Sequence, residues 1–481
     1  MGVLSRGDIE LVDVVAVARR GERLRFASVV ERDVAASRAV VDAVLAEGKP
    51  VYGLNTELGA GRDIVVSADR IEEFQRRTIR NSASGLGAPL SFEQARAVIY
   101  ARLVGFTRGG AGVTPALAAQ YRELLNRDVY PHIPRTGSVG AADLTHLAAV
   151  AAVATGTGRA FVEGVVLPGA SALESVALPP ITLQAHEGLA ALSGNSYSVG
   201  VGALVISDLA TVVNAADRVV ALSLAALGAH STGGNLSPFS PEIQSAHRSA
   251  PQAASAARVR ALVPGGSAAS TQDPLSFRTA PQLHAPLAAA VAASAASIRL
   301  ELNSRTENPL VDAESGRMIS GGNFQVLGLA LSFESLRLAL AHVAVASERR
   351  LAKLSALQAP LRRSGEARVP GLLSYTASSL VAEARHLANP VSLDMASLSE
   401  GVEDVSSNAA VALQLLERSA AVTRTVLAIE ATTAAELLLL APDTALTDGL
   451  RSLVTVLSEQ LDEDAPAEDL VDAVETVLYA S

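Results

Sequence analysis

Stretches at roughly 198–230, 281–300, 325–355 and 403–440 carry apolar residues at helical spacing over lengths beyond an ordinary globular helix. A helix that long cannot bury its apolar stripe against a small sheet, so the pattern predicts a mainly α chain built on a long central helical bundle. The composition agrees, with 49% apolar and only 18% charged residues in 481. Such a surplus predicts packing between subunits as well as within one. The most apolar stretch, 199–230, is interrupted by Asp208, Asn214, Asp217 and Arg218, which suits a buried bundle helix better than a bilayer span.

The formal net charge of −10 and the lack of a basic run with interleaved aromatics argue against nucleic-acid binding. Arg76-Arg77 and Arg362-Arg363 read as solvated helix faces. With no cysteine, disulfides, thiolate metal sites and cysteine nucleophiles are excluded, in keeping with a cytoplasmic chain. The first residues lack an uninterrupted apolar export core, and Arg6 stands where a myristoylation signal has Ser or Thr, so no membrane attachment is expected. His132, His284 and His386 are scattered and form no metal-ligand spacing.

In chain order, Val34, Val41, Val44 and Leu45 mark a helix that stops at Gly48 and Pro50. The stretch 51–59 is too rich in glycine and polar residues for a regular element and reads as a functional loop. Ser91 to Gln94 fits a capping box, Thr114-Pro115 a helix start, and Phe161-Val162 with Val165-Val166 a hairpin about Glu163-Gly164. The change of pattern after residues 193–196 places a soft boundary near 200. A loop-rich domain, 1–200, carries Tyr52 and the 137–143 loop; 201–481 holds the bundle and, from 449, two short helices.

The loop Gly137-Ser138-Val139-Gly140-Ala141-Ala142-Asp143-Leu144 leads into an Ala-rich helix, with Asp143 in first-turn position and unpaired N–H groups facing the loop. GSVGAADL resembles the GSVGASGDL segment of the histidine and phenylalanine ammonia-lyase and aminomutase family. VYGLNTELG at Tyr52, EGLAALSGN at Glu187, QDPLSFRTAPQLH at Arg278, ELNSRTENPL at Asn303, SGGNFQ at Asn323 and EDVSSNAA at Glu403 resemble further family motifs, in family order. The resemblance implies the ammonia-lyase fold, related to the fumarase and aspartase type, and a homotetramer with active sites built from loops of several subunits. It also implies an amino acid or related carboxylate as substrate and an electrophilic methylidene-imidazolone (MIO) formed from Ala-Ser-Gly. Here only Ala141 and Ala142 stand between Gly140 and Asp143, with no hydroxyl to dehydrate, so no cofactor is expected.

By the resemblance, Tyr52 is the base that takes the substrate's β-proton and Gly59 belongs to the same catalytic loop. Arg62 or the helix start after Ala142 would have to favour the phenolate, whose ordinary pKa is about 10. Arg278 clamps the substrate carboxylate with Gln272 in support, Glu403 anchors the far wall, and Asn308 is a candidate carboxylate contact. The bland alternatives are a turn tyrosine, a structural ion pair of Arg278 with Glu301 or Glu307, and a first-turn role for Glu403 beside Asp404. Departures from the family cluster at the electrophile and pocket. Ser193 replaces its supporting Asn and displaces one to Asn195, Leu275 replaces a second Tyr, Ser82 and Gln325 replace histidines, and Leu58 an aromatic. His146, one turn after Asp143, reads as a core histidine or a substitute acid or base.

Two functions follow as expectations. One is a carbon–nitrogen lyase or aminomutase that works without the MIO group, which calls for a better leaving group, a more acidic proton or an isomerisation instead. The other is an inactive relative that binds amino acids or serves an active homologue.

Overall fold

The computed structural model describes residues 1–263, 269–461 and 466–479. It is mainly helical, with short strands confined to edges, and divides into two compact units. The first comprises 1–207, 294–331 and 391–413; the second comprises 208–293, 332–390 and 414–481. The first cut thus falls close to residue 200, while two later stretches return to the first unit, and the cuts fall inside or beside long helices. Of the expected pair of C-terminal helices, Asp448–Gln460 and Ala467–Tyr479 are present, and 462–465 and 480–481 lie outside the described residues.

In the first unit the Phe92–Thr107 helix forms the core, with Val98, Ile99, Leu103 and Val104 fully enclosed. Ser91 and Gln94 close the capping box that starts it. Thr114 caps the Pro115–Asn126 helix by accepting from the Leu117 N–H. Its N–H and hydroxyl both donate to the buried Glu187 carboxylate, at 2.8 and 2.7 Å, and the Gln184 N–H reaches the other oxygen at 2.7 Å. That carboxylate is satisfied without a cation, and it fixes the start of the short Glu187–Leu192 helix. Buried Arg102 ties the same helix down, donating to the Ala190 carbonyl at 2.6 Å and pairing with Glu307 at 3.3 Å. Small antiparallel ladders decorate the edges, among them the expected hairpin, Arg159–Val162 with Val165–Pro168.

The second unit is helical throughout its described elements. Its core holds an ion pair, Arg350 to Glu430 at 2.7 and 2.9 Å, with Ser223 and Ser347 donating to the same carboxylate. A buried pair persists when, as here, extra hydrogen bonds replace the lost water. Asp217 accepts from Ser255 and Arg258 and lies 2.7 Å from the His284 ring.

The long helices run Ser196–Ala229, Ala280–Asn303, Leu327–Arg363 and Ala409–Leu439. The last starts six residues later than the pattern at 403 predicts. Its would-be first turn is spent on the 137–143 loop: Asn408 N–H donates to Val139 O at 2.8 Å and the Ser407 hydroxyl to Gly140 O at 2.8 Å. Asn408 also takes a left-handed φ of 51°. Glu403 is therefore not a first-turn carboxylate of a helix. By length and composition alone, Glu187–Ala229, Ala280–Asn303 and Leu327–Arg363 could cross a bilayer, but 72%, 28% and 61% of their most apolar windows are buried within the protein.

Candidate active site

A cleft of about 660 Å³ lies wholly within the first unit. It gathers Tyr52, Gly59, Ser82, Ala141, Ala142, Ser193, Asn308 and Glu403, which are separated by up to 351 positions in sequence. Arg62, Leu189, Phe324 and Ser399 also line it. Asn195, Gln325 and Asp143 do not line the cleft but stand behind it. Gln272 and Arg278 belong to the second unit and do not line it.

Each side chain has a local reason for its place. The 51–59 loop turns on Gly53, φ 67°, where a Cβ would meet Leu189 at 2.1 Å, so only glycine lets the loop lie on the Glu187–Leu192 helix. The chain then comes back so that the Gly59 N–H donates to the Tyr52 phenol oxygen at 3.2 Å. Glu57 anchors the loop's far side through Arg77, at 2.7 Å. Ser82 ends the Ile71–Ser82 helix, and Ser193 follows the Glu187–Leu192 helix. The Ser193 hydroxyl accepts from the Asn308 N–H at 2.9 Å, and the Asn308 side-chain oxygen accepts from Gly321 N–H at 3.0 Å. Serine at 193 thus supports the 308 turn. The displaced Asn195 donates instead to the Phe324 carbonyl at 2.9 Å, and Gln325 pairs its backbone with Ala141.

The 137–143 loop is held from below. Asp143 is fully buried, and its carboxylate accepts from Ser138 hydroxyl at 2.7 Å, Ser198 N–H at 2.8 Å and Ser198 hydroxyl at 3.3 Å. It stands at the start of the Leu144–Ala154 helix but caps none of that helix's own N–H groups, contrary to a plain first-turn role. Gly140, φ 80°, has no room for a Cβ, which would meet Ser407 Oγ at 2.2 Å. Ala142 takes φ 63° without being glycine. No hydroxyl stands between Gly140 and Asp143, and Ser138 is engaged with Asp143, so the residues present do not fit an internal Ala-Ser-Gly cyclisation. His146 is fully buried, stacks on Tyr197 with ring centroids 4.0 Å apart and places Nε2 3.0 Å from Arg135 O. Burial holds its pKa down; it is a core histidine that does not reach the cleft.

Burial pushes the Tyr52 pKa above the ordinary 10, against the Gly59 hydrogen bond and Arg62, which favour the phenolate; Glu403 opposes them too. Arg62 therefore does not by itself prepare the base. Glu307 pairs with Arg102, so the bland reading that joins it to Arg278 fails. Sequence reasoning missed Ser399, which lies in no motif, and Ser320, which opens the SGGNFQ motif but was not singled out within it.

The cleft of this mainly helical protein is walled by a tyrosine loop and a glycine-flanked loop over a buried helix start. The aromatic amino acid lyase family model matches residues 9–459. The chain is 35% identical over 445 residues to the histidine ammonia-lyase of Stigmatella aurantiaca, covering 89% of this chain and 86% of that enzyme. Among solved structures, the ergothioneine-degrading ergothionase of Treponema denticola superposes with TM-score 0.91 at 25% identity, over 99% of this chain and 98% of that one. Histidine ammonia-lyase from Trypanosoma cruzi gives 0.88 at 25%, over 99% and 92%. The chain belongs to the aromatic amino acid lyase family, and is thus a lyase-family enzyme.

Proposed function

We propose that this enzyme eliminates an amine from an amino acid derivative without an MIO group, acting on a nitrogen that leaves unaided, such as a quaternary ammonium α to the carboxylate. The observation that carries the proposal is the 137–143 loop: it presents Ala141 and Ala142 to the cleft where the family's electrophile precursor would stand. An electrophile activates an amine through the nitrogen lone pair. A quaternary nitrogen has none to offer and departs as a neutral amine, so the missing group and this substrate class match. The similarity to an ergothioneine-degrading enzyme supports a substrate other than a free amino acid.

In the step proposed, the Tyr52 phenolate takes the β-proton, the C–H electrons become the Cα=Cβ bond, and the Cα–N electrons leave with the amine. The products are an unsaturated carboxylate, a neutral amine and protonated Tyr52. Burial is the main cause of the raised Tyr52 pKa and the Glu403 charge adds to it; a cation in the cleft would face Glu403 and offset that charge. Glu403 thereby serves as anchor for the positive nitrogen, with Ser82, Ser193 and Asn308 lining the remainder. Arg278, with Gln272 beside it, would clamp the carboxylate from a neighbouring copy in a homotetramer. The apolar Ala280–Asn303 helix, little buried within one chain, supports that assembly.

The test is turnover on paired free amino acids and their N-trimethyl forms, followed by absorbance of the unsaturated acid. Turnover of the trimethyl forms, lost by at least about a hundredfold in Tyr52→Phe, is expected. Turnover of free amino acids alone would sink the proposal.

A further inference from the structure

Ser399 lies in the cleft wall but belongs to none of the motifs above. Its hydroxyl accepts from the Ala60 N–H at 3.1 Å. Ala60 is the middle of the Gly59–Gly61 turn, whose first N–H holds the Tyr52 oxygen. At Gly59, φ 57°, a Cβ would lie 2.3 Å from Ser399 Oγ, so the serine hydroxyl fills space that only glycine leaves. Ser399 and Glu400 both take left-handed φ, 52° and 55°, unfavourable for residues with side chains. Leu398 and Glu403 hold them there by exchanging two backbone hydrogen bonds, Leu398 N–H to Glu403 O at 2.9 Å and Glu403 N–H to Leu398 O at 3.2 Å. The turn that presents Glu403 to the cleft therefore also aims Ser399 at the tyrosine loop.

We infer that Ser399 is a positioning residue: its hydroxyl fixes the turn that delivers the Gly59 N–H to the Tyr52 oxygen. The inference rests on Tyr52 being the base. Removing the hydroxyl frees Ala60, lets the turn open and withdraws the donor that favours the phenolate, leaving Tyr52 to burial, Glu403 and Arg62.

Two full-length variants separate the hydroxyl from the backbone. Ser399→Ala removes the hydroxyl and keeps the unfavourable φ, whereas Ser399→Gly removes the hydroxyl and relieves it. In both, amide exchange over 58–62 is expected to quicken by roughly threefold to tenfold. The alkaline tyrosine absorbance step that is absent in Tyr52→Phe is expected to move to higher pH in both. Turnover should fall by a similar factor in kcat with KM little changed. Unchanged exchange and an unchanged Tyr52 step in both variants would overturn the inference. So would faster exchange with no shift of that step, since Ser399 would then hold the loop without acting on the phenol. If Tyr52→Phe keeps full turnover, the base assignment fails by itself, and exchange and titration still judge Ser399.

Discussion

The phenol of Tyr52 accepts one backbone N–H and faces Glu403 and Arg62 across a half-enclosed cleft, and burial decides the balance. A base whose pKa lies above 10 is almost wholly protonated near neutrality. For the free enzyme, kcat/KM is therefore expected to climb about tenfold per pH unit through the neutral range, a slope that Tyr52→Phe should abolish. Ala142 offers a second test. Its φ of 63° is unfavourable for alanine, so Ala142→Gly is expected to stabilise the protein by about 0.5–1 kcal/mol, read as a higher urea midpoint at unchanged slope. Part of the cleft was legible because its residues sit in motifs with distinctive neighbours: Tyr52 among glycines, Ser193 beside Gly194, Asn308 before Pro309. Ser399 was not, because a serine in a left-handed turn leaves no trace in composition. Asp143 was legible as a helix start but not as a buried acceptor for Ser138 and Ser198, since those donors converge only in the fold.

Helices were legible wherever apolar spacing is the whole story, as in Ser28–Glu47 with its left-handed Gly48 stop, or the capping box at Ser91. The start of the Ala409–Leu439 helix was not. Residues 403–408 have a composition that tolerates helix, but Ser407 and Asn408 find better partners on the 137–143 loop. The Glu187–Leu192 helix shows how one element places several wall residues at once. Its first carboxylate is buried and held by three donors, two of them from Thr114. Thr114→Val removes a cap and one of those donors, so a loss of about 2–3 kcal/mol is expected in chemical denaturation. Because Leu189, Leu192 and Ser193 ride on this helix, turnover should fall with it.

For the whole molecule, periodicity along a chain cannot reveal that 294–331 and 391–413 rejoin the first unit, because such returns are settled by contacts between distant residues. The proposed assembly gives a direct check. Mixed oligomers of Tyr52→Phe and Arg278→Gln chains should regain turnover that neither shows alone, and sedimentation should find a tetramer. An intact mass equal to that of the plain chain, with no two waters missing, is expected for the 137–143 loop as it stands. The cleft draws on residues from Tyr52 to Glu403, so a ribosome must add 351 residues after Tyr52 before the last wall residue exists. A nascent chain therefore has no complete pocket to offer until Glu403 has been added, and a product truncated before that point retains the tyrosine without the carboxylate opposite it.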